Sequence, residues 1–310
     1  MKGDFMSQSP IASAAAFALA SLFAIGAGTA QAGHRSRNVT IDDGDNATDC
    51  RRINIRFDGL ATTARGEEEM SLPDRGQPVR VHAARNGGVR VVGWDRPEYS
   101  VKACKAAGGE DAGAADAALK KVALSIGGDE IGVTGPGDDS DWNAFLIIHA
   151  PKKASLDLSA SNGPVSLRDV GGKLTVKTVN GPVSLAGCTG DVRVDAVNGP
   201  VSVAEGAGDM KVSATNGPLT VTLGSNRWDG AGLDARTTNG PLTLKMPDNY
   251  DSGVVVEASS HSPIRCKAAP SDTARREGDE FSPRRLQMGS GSTVVHLSTT
   301  NGPVSIVTRN

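Results

Sequence analysis

Residues 162–185 read Asn-Gly-Pro-Val-Ser-Leu-Arg-Asp-Val-Gly-Gly-Lys-Leu-Thr-Val-Lys-Thr-Val-Asn-Gly-Pro-Val-Ser-Leu, one whole unit and the opening of the next. The opening, Asn-Gly-Pro followed by Val or Leu and then Ser or Thr, recurs along the chain. It stands at Asn162-Gly163-Pro164, Asn180-Gly181-Pro182, Asn198-Gly199-Pro200, Asn216-Gly217-Pro218, Asn239-Gly240-Pro241 and Asn301-Gly302-Pro303. The first four recur at one constant spacing, and the fifth follows after a longer one. A degenerate copy, His261-Ser262-Pro263-Ile264-Arg265, comes next, and Asn86-Gly87-Gly88-Val89-Arg90 is an imperfect early one. Repetition at a fixed period marks stacked supersecondary units.

Each unit holds two strand signals of period 2. Val165-Ser166-Leu167 follows one corner, and Leu174-Thr175-Val176-Lys177-Thr178 precedes the next, so one face is buried and the other wet. The phase is constant, because Leu174, Val192, Met210, Leu233 and Val295 each lie six residues before their Asn. The unit before Ser262 breaks it at Val254-Val255-Val256, which predicts a bulge or a distorted coil. Asn and Gly accept left-handed backbone, and Pro suits the first strand position. A second corner carries Gly171-Gly172, Gly187-Cys188-Thr189-Gly190 or Gly206-Ala207-Gly208-Asp209. Two strands and two corners in each coil of about 18 residues predict an all-β chain. The form expected is a single-stranded parallel β-solenoid, β-helix-like, with the Asn amides stacked in a column. At about 4.8 Å per coil the rod is on the order of 30 Å long. The alternative is an antiparallel sandwich of hairpins, since Asn-Gly is also a hairpin turn. There, Pro would remove a ladder donor from every hairpin.

Outward from the repeats the pattern wears down. Residues 151–310 are the regular part, interrupted by a charged loop at 267–291, and residues 74–150 are its degenerate opening. That opening contains strands such as Val79–His82 and one short helix at Ala112–Lys121. Residues 33–73 form a polar arm with one strand, Ile53–Phe57. Residues 1–32 read as a signal peptide: Ile11–Gly28 is almost wholly apolar, and Ala30-Gln31-Ala32 supplies the small residues of a cleavage site. An uncleaved anchor is the alternative reading of the same apolar run. Cleavage leaves no second long apolar run, hence no integral membrane segment. The expected location is the periplasm, the cell surface or the extracellular medium.

The 38 Gly among 310 residues make about 12%, against roughly 7% on average. Three Trp, two Tyr and six Phe argue against a conventional globular core and against a stacking platform for sugars or bases. A net charge of −2 without a basic stripe argues against nucleic acid as partner. The repeat accounts for the anomalies: tight corners need Gly, and a thin coil has room for Val, Leu and Ala.

The chain resembles the bacterial putative-adhesin family of unknown function, exported or membrane-tethered β-solenoids. The residues that carry the likeness are Asn86-Gly87-Gly88-Val89, Gly93-Trp94-Asp95, the helix and strand from Ala112 to Ile126, and Ala150-Pro151-Lys152-Lys153-Ala154 leading into Leu156–Ser159. The train of Asn-Gly-x-Val units completes it. The resemblance covers about residues 74–310 and departs from the family in its recurrent Pro. It implies a solenoid in the cell envelope and no established enzymatic activity.

No catalytic, cofactor or metal site is read from the residues. His34, His82, His149, His261 and His296 lack zinc spacing. Asp42-Asp43-Gly44-Asp45-Asn46 lacks the rest of a calcium loop, and Asp138-Asp139-Ser140-Asp141 is similar. Thr220-Val221-Thr222 stands nearly alone, short of an ice-binding array. Arg193, Lys211 and Asp234 share one outward position on adjacent units, which suits a carbohydrate-binding stripe or an alternating solvated face. Four Cys in an oxidising compartment allow three pairings. Cys188 and Cys266 lie about four coils apart, on the order of 19 Å and too far to bridge, so Cys50 with Cys104 is the expected disulfide. The reading is a bacterial, secreted, non-enzymatic repeat protein, an adhesin or a surface or periplasmic scaffold for an unidentified protein or glycan. A polysaccharide-binding or polysaccharide-processing β-helix is the alternative, with a cleft at Trp228, Tyr250 or Trp142. An envelope-stress signalling accessory is the third.

Overall fold

Alternation in sequence becomes alternation in burial. Along Lys173–Asn180, Leu174, Val176 and Thr178 are buried while Lys173 and Lys177 are exposed, and Asp191–Asn198 and Asp209–Asn216 repeat the pattern. The computed structural model describes residues 39–42, 48–137, 140–260, 262–267, 275–277, 284–289 and 291–309. The proposed signal segment, His34 and His261 therefore lie outside the described residues, as do most of the 42–46 acidic run and Asp138-Asp139.

The described chain is all-β apart from one α-helix and one 3-10 turn. Strands Leu156–Asn162, Lys173–Asn180, Asp191–Asn198, Asp209–Asn216, Gly232–Asn239 and Thr293–Asn301 lie parallel in one sheet, here the asparagine sheet. Strands Val165–Arg168, Val183–Ala186, Val201–Ala204, Leu219–Thr222, Leu242–Met246 and Val304–Thr308 lie parallel in the opposite sheet. The register steps by one unit, Leu156 on Leu174 on Val192 on Met210, so equivalent side chains stack in columns. Val79–His82 and Val89–Trp94 prolong the two sheets, again in parallel.

The expectation of one uniformly parallel coil needs correction. The described residues form two mixed sheets of 12 and 11 strands, and the arm, expected to hold one strand, adds a two-stranded antiparallel sheet of Val39–Asp42 with Asn54–Phe57. Thr62–Pro73 pairs antiparallel with Glu98–Gly109, which pairs antiparallel with Trp142–Pro151, at one end of the opposite sheet. Ala123–Gly127 and Glu130–Thr134 form a hairpin at the same end of the asparagine sheet. At the far end Arg284–Met288 lies between Gly253–Ala258 and Arg275–Glu277, antiparallel to both. The stretch read as a charged loop at 267–291 thus supplies two strands. A stack of identical units ends in open sheet edges, and different strands occupy those ends.

A second correction concerns order. The last unit in sequence is not last in space: Thr293–Asn301 lies between Gly232–Asn239 and Gly253–Ala258, and Val304–Thr308 lies between Leu242–Met246 and Ile264–Cys266. The C-terminal unit is inserted between two units that precede it. The outermost one is the phase-breaking unit, and its register shifts between Gly253 and Val254.

One core fills the space between the sheets with Val, Leu, Ala and Ile, and Trp228 and Tyr250 are buried within it. A smaller cluster lies on the outer face of the opposite sheet, where Ile53, Ile55 and Phe57 of the arm cover Cys104, Phe145 and Ile147. The arm also contributes the edge strand Thr62–Pro73, which its Glu67-Glu68-Glu69 run disguised as solvated loop. The helix Ala112–Leu119 starts at Asp111, whose carboxylate accepts a hydrogen bond from the Ala114 N–H at 2.7 Å. No helix among the described residues is long and apolar enough to cross a membrane.

Candidate functional site

The Asn-Gly-Pro residues come together at one corner of the stack. The Asn180 amide donates to the Asn162 side-chain oxygen at 2.8 Å, Asn198 to Asn180 at 2.8 Å, Asn216 to Asn198 at 2.9 Å, Asn239 to Asn216 at 2.9 Å and Asn301 to Asn239 at 2.8 Å. Asn162 extends the ladder to Asn86 at 3.1 Å. All the bonds run the same way, from each unit to the unit on its Asn86 side. The adjacent Gly column lets the backbones approach: a Cβ on Gly199, at φ +135°, would stand 2.3 Å from the Gly181 carbonyl oxygen. The Pro residues open the opposite-sheet strands, whose first apolar residues, Val165 to Val304, point inward.

The corners set two outward faces. On the opposite sheet Ser166, Ser184, Ser202, Thr220, Thr243 and Ser305 stand in register, a column of hydroxyls one strand apart. On the asparagine sheet Arg193, Lys211 and Asp234 are aligned across adjacent strands. Arg193 Nε lies 3.1 Å from Asp195, and Arg236 Nε donates to Asp234 at 2.8 Å. These ion pairs tie Arg193 and Asp234 to charges within their own strands. Val179 and Val197, exposed one residue before the ladder, flank it on two neighbouring units.

The second corner carries a cleft of about 860 Å³, bordered by Trp94, Asp95, Lys152, Asp169, Gly187 and Thr189. Gly93 brings its floor close, since a Cβ there would be 1.9 Å from the Asp169 carbonyl oxygen. Asp169 adopts φ +55°, and its carboxylate lies over Gly187. Lys152 Nζ pairs with Asp95 at 2.8 Å, both exposed. The Trp94 indole is held by its N–H donating to the Glu98 carbonyl at 2.7 Å, by the Arg96 guanidinium 4.7 Å from its ring centroid, and by His149 stacked at 5.2 Å. Burial lowers the His149 pKa; Glu69 opposes the shift, and Lys102 and Arg96 add to it. With Asp95, Asp169 and Lys152 beside the Thr189 hydroxyl, the cleft can hydrogen-bond a polar, hydroxyl-rich ligand.

In the sequence Trp94 stands out only as part of a family pattern. The aromatics expected at a cleft do not assemble one: Trp228 and Tyr250 are buried, and Trp142 donates to the Pro136 carbonyl at 2.8 Å. The signal that marks Trp94 is its neighbour Gly93, a glycine inside a strand where two backbones meet. Cys50 and Cys104 are disulfide-bonded, with Cα atoms 5.2 Å apart. Cys188 is buried, which pushes its thiol pKa up to about 11. Among the described residues, no three His, Cys, Asp or Glu side chains gather where they could hold a metal ion. His82 is within 3.3 Å of Glu130, His149 lies on Trp94, and His296 is aligned with Asp234.

No family model matches the chain, and no curated protein matches it either. Solved structures similar to it include a putative cell adhesion protein from Clostridium sporogenes, 12% identical, covering 79% of this chain and 100% of that one, with a TM-score of 0.31. A putative adhesin from Bacteroides fragilis is 9% identical over 79% of this chain and 97% of its own, with a TM-score of 0.40. A putative lipid binding protein from Parabacteroides distasonis is 9% identical over 82% of this chain and 98% of its own, with a TM-score of 0.29.

Proposed function

We propose that this protein is a non-enzymatic, exported component of the bacterial cell envelope, an adhesin or scaffold of the adhesin-like kind its sequence resembles. Its central units act as a β-solenoid, a stiff spacer that presents two regular faces to a protein or glycan of the envelope. The observation that carries this reading is the continuous ladder from Asn86 to Asn301, which locks successive units in one register and so holds the outward columns at constant spacing. The test pairs binding of the purified chain to intact envelopes and a glycan array with a reducing-end assay on the same glycans. Saturable binding without new reducing ends is the expected result. Turnover of any polysaccharide would overturn the non-enzymatic reading.

The second-corner cleft favours a second reading, a polysaccharide-binding protein that uses Trp94, Asp95, Asp169 and Lys152. Under that reading Asp169→Ala abolishes glycan retention while the fold persists. Under the first, retention is unchanged.

A further inference from the structure

The insertion of the C-terminal unit leaves the rest of the chain with a gap one unit wide. Its walls are Gly232–Asn239 and Leu242–Met246 on one side, and Gly253–Ala258 and Ile264–Cys266 on the other. Val295 sits between Leu233 and Val254, and Val304 between Leu242 and Ile264. Val295, Leu297, Val304 and Ile306 are all at most 1% exposed. Backbone bonds join the inserted unit to both walls: Gly240 N–H to Asn301 O and Leu242 N–H to Pro303 O on one side, Val304 N–H to Pro263 O and Lys267 N–H to Ile306 O on the other. Without its occupant the gap exposes two strand edges and an apolar floor, a combination that water satisfies poorly.

The chain enters this gap through a short hinge. Arg284–Met288 lies on one side of Gly253–Ala258 and Thr293–Asn301 on the other, so the chain crosses the end of that strand between Met288 and Thr293. Gly289 has φ +77°, and a Cβ there would be 2.3 Å from the Ser252 carbonyl oxygen. Gly291 N–H donates to Asp251 O at 3.0 Å, and Gly253 N–H to Ser292 O at 3.0 Å. A short connection beside a complete unit is the arrangement in which that unit can be exchanged between copies.

We propose that the gap is a binding slot for the C-terminal unit Thr293–Thr308 and that its alternative occupant is the same unit of a second copy, giving a reciprocal, unit-exchanged dimer. Every contact of the slot is preserved in that dimer, and only the hinge changes conformation. Other units of this chain share its register, but among the described residues this one is paired on both sides with units that precede it in sequence, so it enters a slot whose two walls are already made.

The test uses the full chain with Thr243→Cys and Ser305→Cys, register partners across the slot wall with partly exposed side chains. Parallel neighbours at about 4.8 Å are within reach of a disulfide. The protein is incubated at high concentration just below its unfolding temperature, cooled, separated into monomer and dimer by size exclusion, and then oxidised. The expected result is a dimer fraction whose introduced thiols link two chains on a non-reducing gel, while in the monomer they link within one. Adding Gly289→Val, which cannot keep the closed hinge, is expected to raise the dimer fraction at least tenfold. A chain that stays monomeric under both conditions overturns the proposal, and so does a dimer bridged only within each chain. Should Gly289→Val fail to fold, the double-cysteine chain with Gly289 retained decides on its own, by the presence or absence of interchain bridges.

Discussion

Asn198 and Gly199 share a corner and answer to different forces. Asn198 donates one amide bond and accepts another in an exposed column, so Asn198→Ala breaks two rungs that water can partly replace. The expected loss is about 1 kcal/mol. Gly199 stands where a side chain meets backbone in the neighbouring unit, and the neighbour cannot yield without opening the stack. Gly199→Ala is therefore expected to cost at least about 3 kcal/mol. Urea denaturation of the two variants checks the ranking, and equal losses would show that the corner tolerates a methyl group. A second residue pair sets the acid response. The Glu68 carboxylate accepts hydrogen bonds from the Leu124 N–H and from Lys105 Nζ, which together hold its pKa below the ordinary 4.5, and Glu69 is lowered by Ser100 and Lys102. A depressed folded-state pKa stabilises the fold fully above the ordinary value, and the contribution is lost as pH falls through the lowered one. Urea midpoints are thus expected to decline below about pH 4.5, and Glu68→Gln to decline less steeply. A parallel decline in both would remove Glu68 from the cause.

At the scale of elements, the arm strand Asn54–Phe57 covers the outer face of a sheet that already has a packed inner face. It is held by the three apolar residues Ile53, Ile55 and Phe57 and by the Cys50–Cys104 disulfide, which closes a separation of 54 residues. Loop-closure entropy for such a ring is about 4 kcal/mol. Reduction is expected to lower the melting temperature and to raise hydrogen exchange at 53–57 before it does so in the Asn-Gly-Pro units, and uniform exchange would contradict that order. The strands of the central units were legible in the sequence, because alternation, corner chemistry and constant phase all specify one register. Thr62–Pro73 was not, since its three consecutive Glu residues fall alternately on both faces of an edge strand, and Glu68 is accommodated on its side by Lys105 and the Leu124 N–H. The cleft residue Trp94 escaped for a related reason: a single indole gains its surroundings only when Arg96, His149 and Glu98 converge on it.

The Asn-Gly-Pro units of the molecule are a stack of near-interchangeable layers, and a layer can be removed in register. Deleting residues 181–198 joins Asn180 to Gly199 and restores the corner sequence, so the shortened chain is expected to fold with the same circular dichroism per residue. Deleting 181–197 instead leaves one residue too many, turns every following side chain to the wrong face and is expected to prevent cooperative unfolding. If both deletions fold equally well, the layers do not govern stability. Interchangeability also explains why the order of layers was hidden: units with the same register and the same apolar columns fit one another in any sequence. The one clue was negative. Residues 253–263 lack the common phase, so that unit matches the regular stack less well than Asn301 and its neighbours do, and it is the one displaced to the outside. The ladder has a last consequence, for the chemical lifetime of the protein. An Asn-Gly pair in a loose chain ages quickly, because the glycine nitrogen attacks the side-chain amide and expels ammonia. Here the nitrogens of Gly163, Gly181, Gly199, Gly217 and Gly240 are bonded at 2.8 to 2.9 Å to carbonyl groups of the next layer, and that of Gly302 is 3.4 Å from the Ser262 hydroxyl. The sequence that looks most perishable on paper is kept from spoiling for as long as the layers stay stacked.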